Sequence, residues 1–159
     1  MKAVVQRVLN SSVAVENKIV SSINQGLTIL LGVQQGDTVK EAELLAGKIA
    51  RLRVFSDEDN KMNLSLKQVG GSALVVSQFT LCADLKKGNR PSFTDAAASD
   101  KAIKLYEFFI HQLKAQGITD VQKGVFAADM KLNIVNDGPV TILLDTNIWQ
   151  KNSCDNNPV

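Results

Sequence analysis

Apolar and polar residues alternate with a period of two on both sides of the hexapeptide Asn136-Asp137-Gly138-Pro139-Val140-Thr141. Met130, Leu132 and Ile134 precede it, and Val140, Ile142 and Leu144 follow. That period belongs to half-buried strands, so the pattern predicts two strands joined by Asn136 to Pro139. Lys2 to Leu9 alternates in the same way, Ser12–Glu16 and Lys18–Ser21 form a predicted hairpin about Asn17, and Gly26 to Val33 (GLTILLGV) is a buried strand. Ser72 to Leu81 (SALVVSQFTL) predicts a long apolar strand whose far end turns polar. Helical spacing appears twice. Thr38 to Glu41 has the form of a capping box, and Ala42, Leu45, Ile49 and Leu52 follow on one face of a helix that ends near Arg53. Arg53-Val54-Phe55 leads into a polar loop, Ser56 to Met62. The second helix, Ser99 to Gln116, carries a buried stripe of Ile103, Tyr106, Ile110 and Leu113 and stops at Gly117.

Composition narrows the class. With 159 residues, 45% apolar and 21% charged, the chain fits one globular domain over residues 1–150, followed by a polar tail at 151–159. The net charge of +2 is too weak for bulk nucleic-acid binding but leaves room for a local basic patch. The start, MKAVVQRV, reaches Gln6 and Arg7 before a signal-type apolar region can form, and no apolar run is long enough to span a bilayer. A soluble cytoplasmic protein is expected, with no membrane partner. Cys82 and Cys154 are far apart and lack metal-type spacing, so free thiols are expected and neither a metal nor a cofactor is called for.

Three stretches carry chemistry. Asn-Asp-Gly is an ordinary hairpin signal, but the proline after it fixes its own φ and donates no hydrogen bond, so ladder pairing must start after Pro139. One reading is a hairpin turn with an edge proline. The other is a rigid backbone wall, a Gly-Pro corner with two carbonyls and no glycine side chain, suited to judging a substrate by shape. At Ser77-Gln78-Phe79-Thr80 polar groups appear where a central strand should be apolar; in a strand Gln78 and Thr80 share one face, Ser77 and Phe79 the other. Such strand ends either emerge into solvent or border a site. The loop Ala83 to Phe93 carries Lys86, Lys87 and Arg90 and is either solvated or a phosphate-contacting arm. The only histidine, His111, projects with Lys104, Glu107 and Lys114 opposite the buried stripe, which argues against a histidine base.

The pair SQFTL at Ser77–Leu81 and NDGPVT at Asn136–Thr141 resembles the signature pair of the D-aminoacyl-tRNA deacylases. AVVQRV at Ala3–Val8, GLTILLGV, RVFSDEDNKMNLSL at Arg53–Leu66, the KKGNRPSF loop and ADM at Ala128–Met130 resemble further family segments in order and spacing. One departure is Ala127, where the family commonly has glycine; at positive φ an alanine there costs on the order of 1 kcal/mol. The resemblance implies a single compact three-layer α/β domain with mixed sheets and two main helices. It also implies a homodimer with two active sites at the subunit interface, and a cis Gly138-Pro139 bond. The implied reaction is hydrolysis of the ester between a D-amino acid, or glycine, and the terminal ribose of tRNA. By the same resemblance, Gly138 and Pro139 form a chirality gate inserted into the partner's site, and Arg7 helps hold it. Ser77, Gln78, Phe79 and Thr80 line the scissile ester, and Phe126 and Met130 lie by the terminal adenosine.

An ester to ribose is already activated and has a neighbouring 2′-hydroxyl, so backbone amides near Gln78 and Phe79 can hold a developing oxyanion while water attacks. Thr80 as nucleophile needs an activating base, and the sequence offers no evident one. A non-catalytic RNA-binding module and a generic Thr or Cys hydrolase of small esters are the readings from other classes.

Overall fold

The computed structural model describes residues 1–150; the expected tail at 151–159 lies outside the described residues. Strand β1, Lys2–Val15, runs through both segments that the sequence pattern treats separately. It turns at Glu16 and Asn17 (φ 50° and 62°), the pair of positive values that a tight two-residue hairpin requires, into β2, Lys18–Ile23. There follow β3 at Gly26–Gly32, α1 at Val39–Ala50, a small hairpin of β4 (Arg53–Ser56) and β5 (Met62–Ser65), and β6 at Ser72–Ser77. Helix α2 (Ser99–Ala115), β7 (Val121–Lys123), β8 (Lys131–Asp145) and the short α3 (Thr146–Gln150) complete the chain. The β4–β5 hairpin occupies ground read from sequence largely as loop.

The main sheet has the order β2-β1-β3-β6-β7, with β8 on the free side of β1. β3, β6 and β7 pair parallel; β1 pairs antiparallel with all its neighbours. Residues 2–8 of β1 pair with β3, and residues 11–15 pair with β2, so its two halves serve different layers. Helices α1 and α2 cover one sheet face through a core that includes Leu27, Ile29, Leu31, Leu45, Ile49, Tyr106 and Phe109. On the other face Val8, Val13, Ile23, Leu74 and Val76 gather Leu30, Leu132 and Ile134 around them, with β2 lying across β6 and β7. The result is the expected three-layer α/β domain.

The capping box forms as read: Lys40 N–H donates to Thr38 Oγ1 (3.2 Å) and Thr38 N–H donates to Glu41 Oε2 (2.6 Å). The N-terminus is tied to the start of α3. The Met1 ammonium is fully buried, 2.5 Å from Asp37 Oδ1, and donates to Thr146 Oγ1 at 2.6 Å, while Thr146 N–H donates back to the Met1 carbonyl at 3.0 Å. A buried charge needs such a partner set, since removing one member leaves the other desolvated and uncompensated.

Several expectations need correction. Asn136 to Pro139 does not join two strands as a hairpin; β8 continues through it, and both halves pair with β1. The pairing jumps from Val8↔Asn136 to Gln6↔Thr141, so residues 137–140 lie opposite Arg7 alone as a wide bulge. The ladder does resume after Pro139, as the missing N–H requires. The strand read to Leu81 ends at Ser77, and Phe79–Cys82 is a 3-10 turn instead. Helix α1 stops at Ala50, short of Arg53. On α2, Ile103 is 40% exposed, and the buried set is Leu105, Tyr106, Phe109, Ile110 and Leu113, with His111 exposed as expected.

Gly26 starts the parallel β3–β6 pairing, and a Cβ there would lie 1.9 Å from the Ser72 carbonyl oxygen. Gly26→Ala should therefore lower stability by several kcal/mol, since neither backbone can yield without opening the central ladder. Urea unfolding checks this; a midpoint close to that of the unmodified protein would refute it.

Candidate active site

Where β6 ends, its polar groups meet a cleft. Gln78 N–H makes the last ladder bond, to Leu31 O at 2.8 Å, and the chain then leaves the sheet at Gln78 (φ −145°, ψ 81°), with Leu81 N–H closing onto Gln78 O at 3.3 Å. Gly32 permits this turn: a Cβ on it would come within 3.0 Å of both Gln78 O and Leu81 Cβ. Leaving the sheet overturns the face assignment made from strand geometry. Gln78 and Thr80 are brought together by the turn, and Gln78 Nε2 donates to Thr80 Oγ1 at 2.5 Å.

The cleft holds about 620 Å³. Ser77, Gln78 and Phe79 form its polar wall, Ala97, Ala102 and Tyr106 of the α2 side form another, and Phe126, Ala127, Ala128 and Met130 close the third. The third wall is a turn in which Ala128 N–H donates to Val125 O at 3.3 Å and Ala127 takes φ 62°. Gly124 leaves space for Met130, whose Sδ would lie 2.7 Å from a Cβ there. Phe126 packs on Tyr106 with ring centroids 5.7 Å apart. Of the residues expected at the site, the cleft thus unites Ser77, Gln78, Phe79, Phe126 and Met130. Thr80 joins it only through Gln78. Arg7, Gly138 and Pro139 do not line it.

Among the described residues Tyr106 is the one ionisable side chain in the lining, and it is held neutral. Burial drives its pKa up, with Glu107 adding to the shift, and its hydroxyl donates to Val75 O at 2.8 Å. The oxyanion donors expected near Gln78 also need revision. The Gln78 amide is taken by Leu31, whereas the Phe79 and Thr80 amides head the 3-10 turn, where no partner exists within the turn itself. Among the described residues no three His, Cys, Asp or Glu side chains stand close enough to hold a metal ion.

The Gly138-Pro139 corner lies within the β1–β8 bulge, exposed, with its peptide bond cis. Arg7 lies beneath it in the same chain. Its Nε is 3.0 Å from Asp137 Oδ2, an ion pair rather than a well-aligned hydrogen bond, and its Nη1 donates to Val54 O at 2.6 Å. Asn136, read from sequence only as a turn residue, braces the corner from within: its Oδ1 accepts from Val140 N–H (3.3 Å) and its Nδ2 donates to Thr141 Oγ1 (3.2 Å). Its place at the head of a bulge containing proline was the available signal.

Fold and cleft together describe a small α/β domain with a cleft at the end of β6, lined by main chain, hydroxyls and apolar side chains. A family profile for D-Tyr-tRNA(Tyr) deacylase matches residues 4–145. A D-aminoacyl-tRNA deacylase of Desulforamulus reducens is 54% identical over 146 residues, 92% of this chain and 97% of its own. A solved structure of a c-Myc DNA unwinding element binding protein superposes with TM-score 0.86 at 44% identity, covering 91% of this chain and 98% of its own. A probable eukaryotic D-amino acid tRNA deacylase shares the fold with TM-score 0.79 at 18% identity, covering 90% and 97%. The chain belongs to the D-Tyr-tRNA(Tyr) deacylase family and is a hydrolase of that class.

Ala127 occupies a left-handed conformation that glycine adopts without cost. Ala127→Gly should raise stability by about 0.5–1 kcal/mol, the relieved strain outweighing the extra freedom of the unfolded chain. The readout is a higher urea midpoint at unchanged slope; a lowered midpoint would show that the methyl packing in the cleft wall dominates.

Proposed function

We propose that this protein hydrolyses the ester linking a D-amino acid, or glycine, to the terminal ribose of tRNA, and that it spares L-aminoacyl-tRNA. The observation that carries the reading is the cleft at the end of β6, walled by Ser77–Phe79 and Phe126–Met130, in a chain of the deacylase family. The aminoacyl ester lies along Ser77–Thr80, and the terminal adenosine lies by Phe126 and Met130. Water attacks the ester carbonyl, the Phe79 and Thr80 amides hold the oxyanion, and the ribose hydroxyl leaves with the proton that water supplies. The neighbouring 2′-hydroxyl is placed to assist that transfer.

Thr80 as nucleophile is the weaker reading, because its hydroxyl accepts from Gln78 Nε2 and meets no base. Thr80→Ala should keep activity within about tenfold of the unmodified enzyme. Phe79→Pro, which deletes an amide at a helix-start position tolerant of proline, should cost ~10²–10³ in kcat. Inactivity of a folded Thr80→Ala protein would overturn water attack.

Selectivity follows from geometry. With amino group and ester held fixed, two enantiomers exchange only the hydrogen and the side chain at Cα. If main chain lies against the hydrogen of a D-residue, an L-residue must push at least a methyl group into it, whereas glycine has hydrogen at both positions and passes. The exposed Gly138-Pro139 corner suits that role. It does not line its own cleft, so the gate comes from a second copy, and the active species is a homodimer with the corner of one protomer in the cleft of its partner. Residues Lys86, Lys87 and Arg90 are exposed and suit tRNA phosphates.

The deciding experiment incubates the protein with D-aminoacyl-, L-aminoacyl- and glycyl-tRNA and follows ester loss. Several D-aminoacyl-tRNAs and glycyl-tRNA should be hydrolysed and L-alanyl-tRNA left intact. Intact D-aminoacyl-tRNA would favour a non-catalytic RNA-binding module, and efficient hydrolysis of L-alanyl-tRNA would remove the steric gate.

A further inference from the structure

At the mouth of the cleft two aromatic rings face solvent. Phe79 is 58% exposed and Phe93 is 36% exposed, yet their centroids lie 5.0 Å apart at an interplanar angle of 73°, an edge-to-face pair. Phe79 is fixed by the 3-10 turn. Phe93 is fixed by the antiparallel bridge in which Asp84 N–H donates to Ser92 O (2.8 Å) and Ser92 N–H donates to Asp84 O (2.9 Å). The excursion between those two residues carries Lys86, Lys87 and Arg90 at its exposed tip, and none of the three side chains enters an ion pair among the described residues. An open ring pair and unpaired cations are therefore presented together at the rim.

The cleft, at about 620 Å³, lies within the ~300–1,000 Å³ typical of a site for one small ligand. An aminoacyl-adenosine fills such a site, so the nucleotide before it must emerge at the mouth. We propose that Phe79 and Phe93 form a stacking platform for that preceding nucleotide of the unpaired tRNA end, with Lys86, Lys87 and Arg90 taking the phosphates beside it. This rests on the deacylase reading above. Stacking suits the task because every base has a π face, so the platform strengthens binding without selecting sequence, and the cations add a salt-dependent component. Both phenylalanines act here as positioning residues: they hold the polynucleotide so that its terminal ester reaches the Ser77–Thr80 wall.

The test compares two substrates, a D-aminoacyl-tRNA and the minimal 3′-O-(D-aminoacyl)adenosine, on the full-length protein and on Phe93→Leu and Phe93→Tyr. Leucine keeps apolar bulk and removes the flat face. Phe93→Leu should raise KM for the tRNA on the order of tenfold, the size expected from losing one stacked base, with kcat nearly constant. The adenosine ester should show no matching rise, so the preference for tRNA falls about tenfold. Phe93→Tyr should restore it. Equal losses on both substrates would make the rings mere cleft walls, and unchanged kinetics on both would make them idle; either overturns the proposal. Failure of the unmodified protein to hydrolyse either ester would instead sink the deacylase reading and the platform with it, an outcome distinct from a flat variant series on active protein.

Discussion

The antiparallel pairing of β1 with β8 is the constraint on which the rest of this structure depends. It runs from Lys2↔Asp145 to Ala14↔Lys131, so nearly the whole of both strands is committed to it. Because β1 also feeds β3 with one half and β2 with the other, the pairing carries β8 from the outer layer into the main sheet. Its closed end is locked by the Met1 ammonium between Asp37 and Thr146. Its middle is interrupted once, opposite Arg7, and that interruption is where the Gly-Pro corner leaves the sheet. A bulge inside a long ladder is better anchored than a free hairpin tip, since strand pairing continues on both sides of it.

The cleft is built on a different economy. Among the described residues the one ionisable side chain in its lining is Tyr106, which burial keeps protonated against Val75 O. What it has is main chain: a strand that stops at Ser77, an amide ladder that ends at Gln78, and a 3-10 turn whose first amides have no partner within the turn. Fixed amides need no reorganisation as charge develops, which is the condition for electrostatic stabilisation of an oxyanion. An activated ester asks for little more.

Most of the local structure was legible in the sequence because local rules governed it. The capping box at Thr38, the turn at Glu16–Asn17, the helix stop at Gly117 and the break in pairing at Pro139 each follow from a residue's own donor or φ preference. The positive φ of Ala127 entered only as a condition attached to the family resemblance. What was not legible depended on partners far along the chain. Asn-Asp-Gly signals a hairpin equally well whether the flanking strands pair with each other or with a third strand, and here β1 supplies the third. SQFTL looks like strand until Gly32, across the ladder, makes room for a turn. On α2 two apolar stripes overlap, and only the position of α1 selects Leu105 and Phe109 over Ile103. Ser77, Gln78, Phe79, Phe126 and Met130 meet at one cleft while Thr80, Arg7, Gly138 and Pro139 do not line it, a separation that only the turn and the bulge reveal.

A corner offered to a second molecule as a steric wall has to be exposed and immobile at once, and exposed chain is ordinarily neither braced nor fixed. Here the bracing comes from below. Asn136 spans the corner to Val140 and Thr141, Gln6 Nε2 reaches Thr141 Oγ1 at 3.3 Å from the neighbouring strand, and Arg7 ties Asp137 to the Val54 carbonyl. Gly138 is then required twice over. Its φ of 117° is one that side-chain-bearing residues rarely adopt, and a Cβ would lie 2.9 Å from both Arg7 Nη2 and Val140 Cγ2, the very atoms that pack beneath the corner. Removing the side chain therefore serves the inside of the wall as much as its outer face: glycine lets the guanidinium come close enough to support main chain that has no other cover. In the proposed gate, selectivity would then be set in part by residues that the substrate never touches.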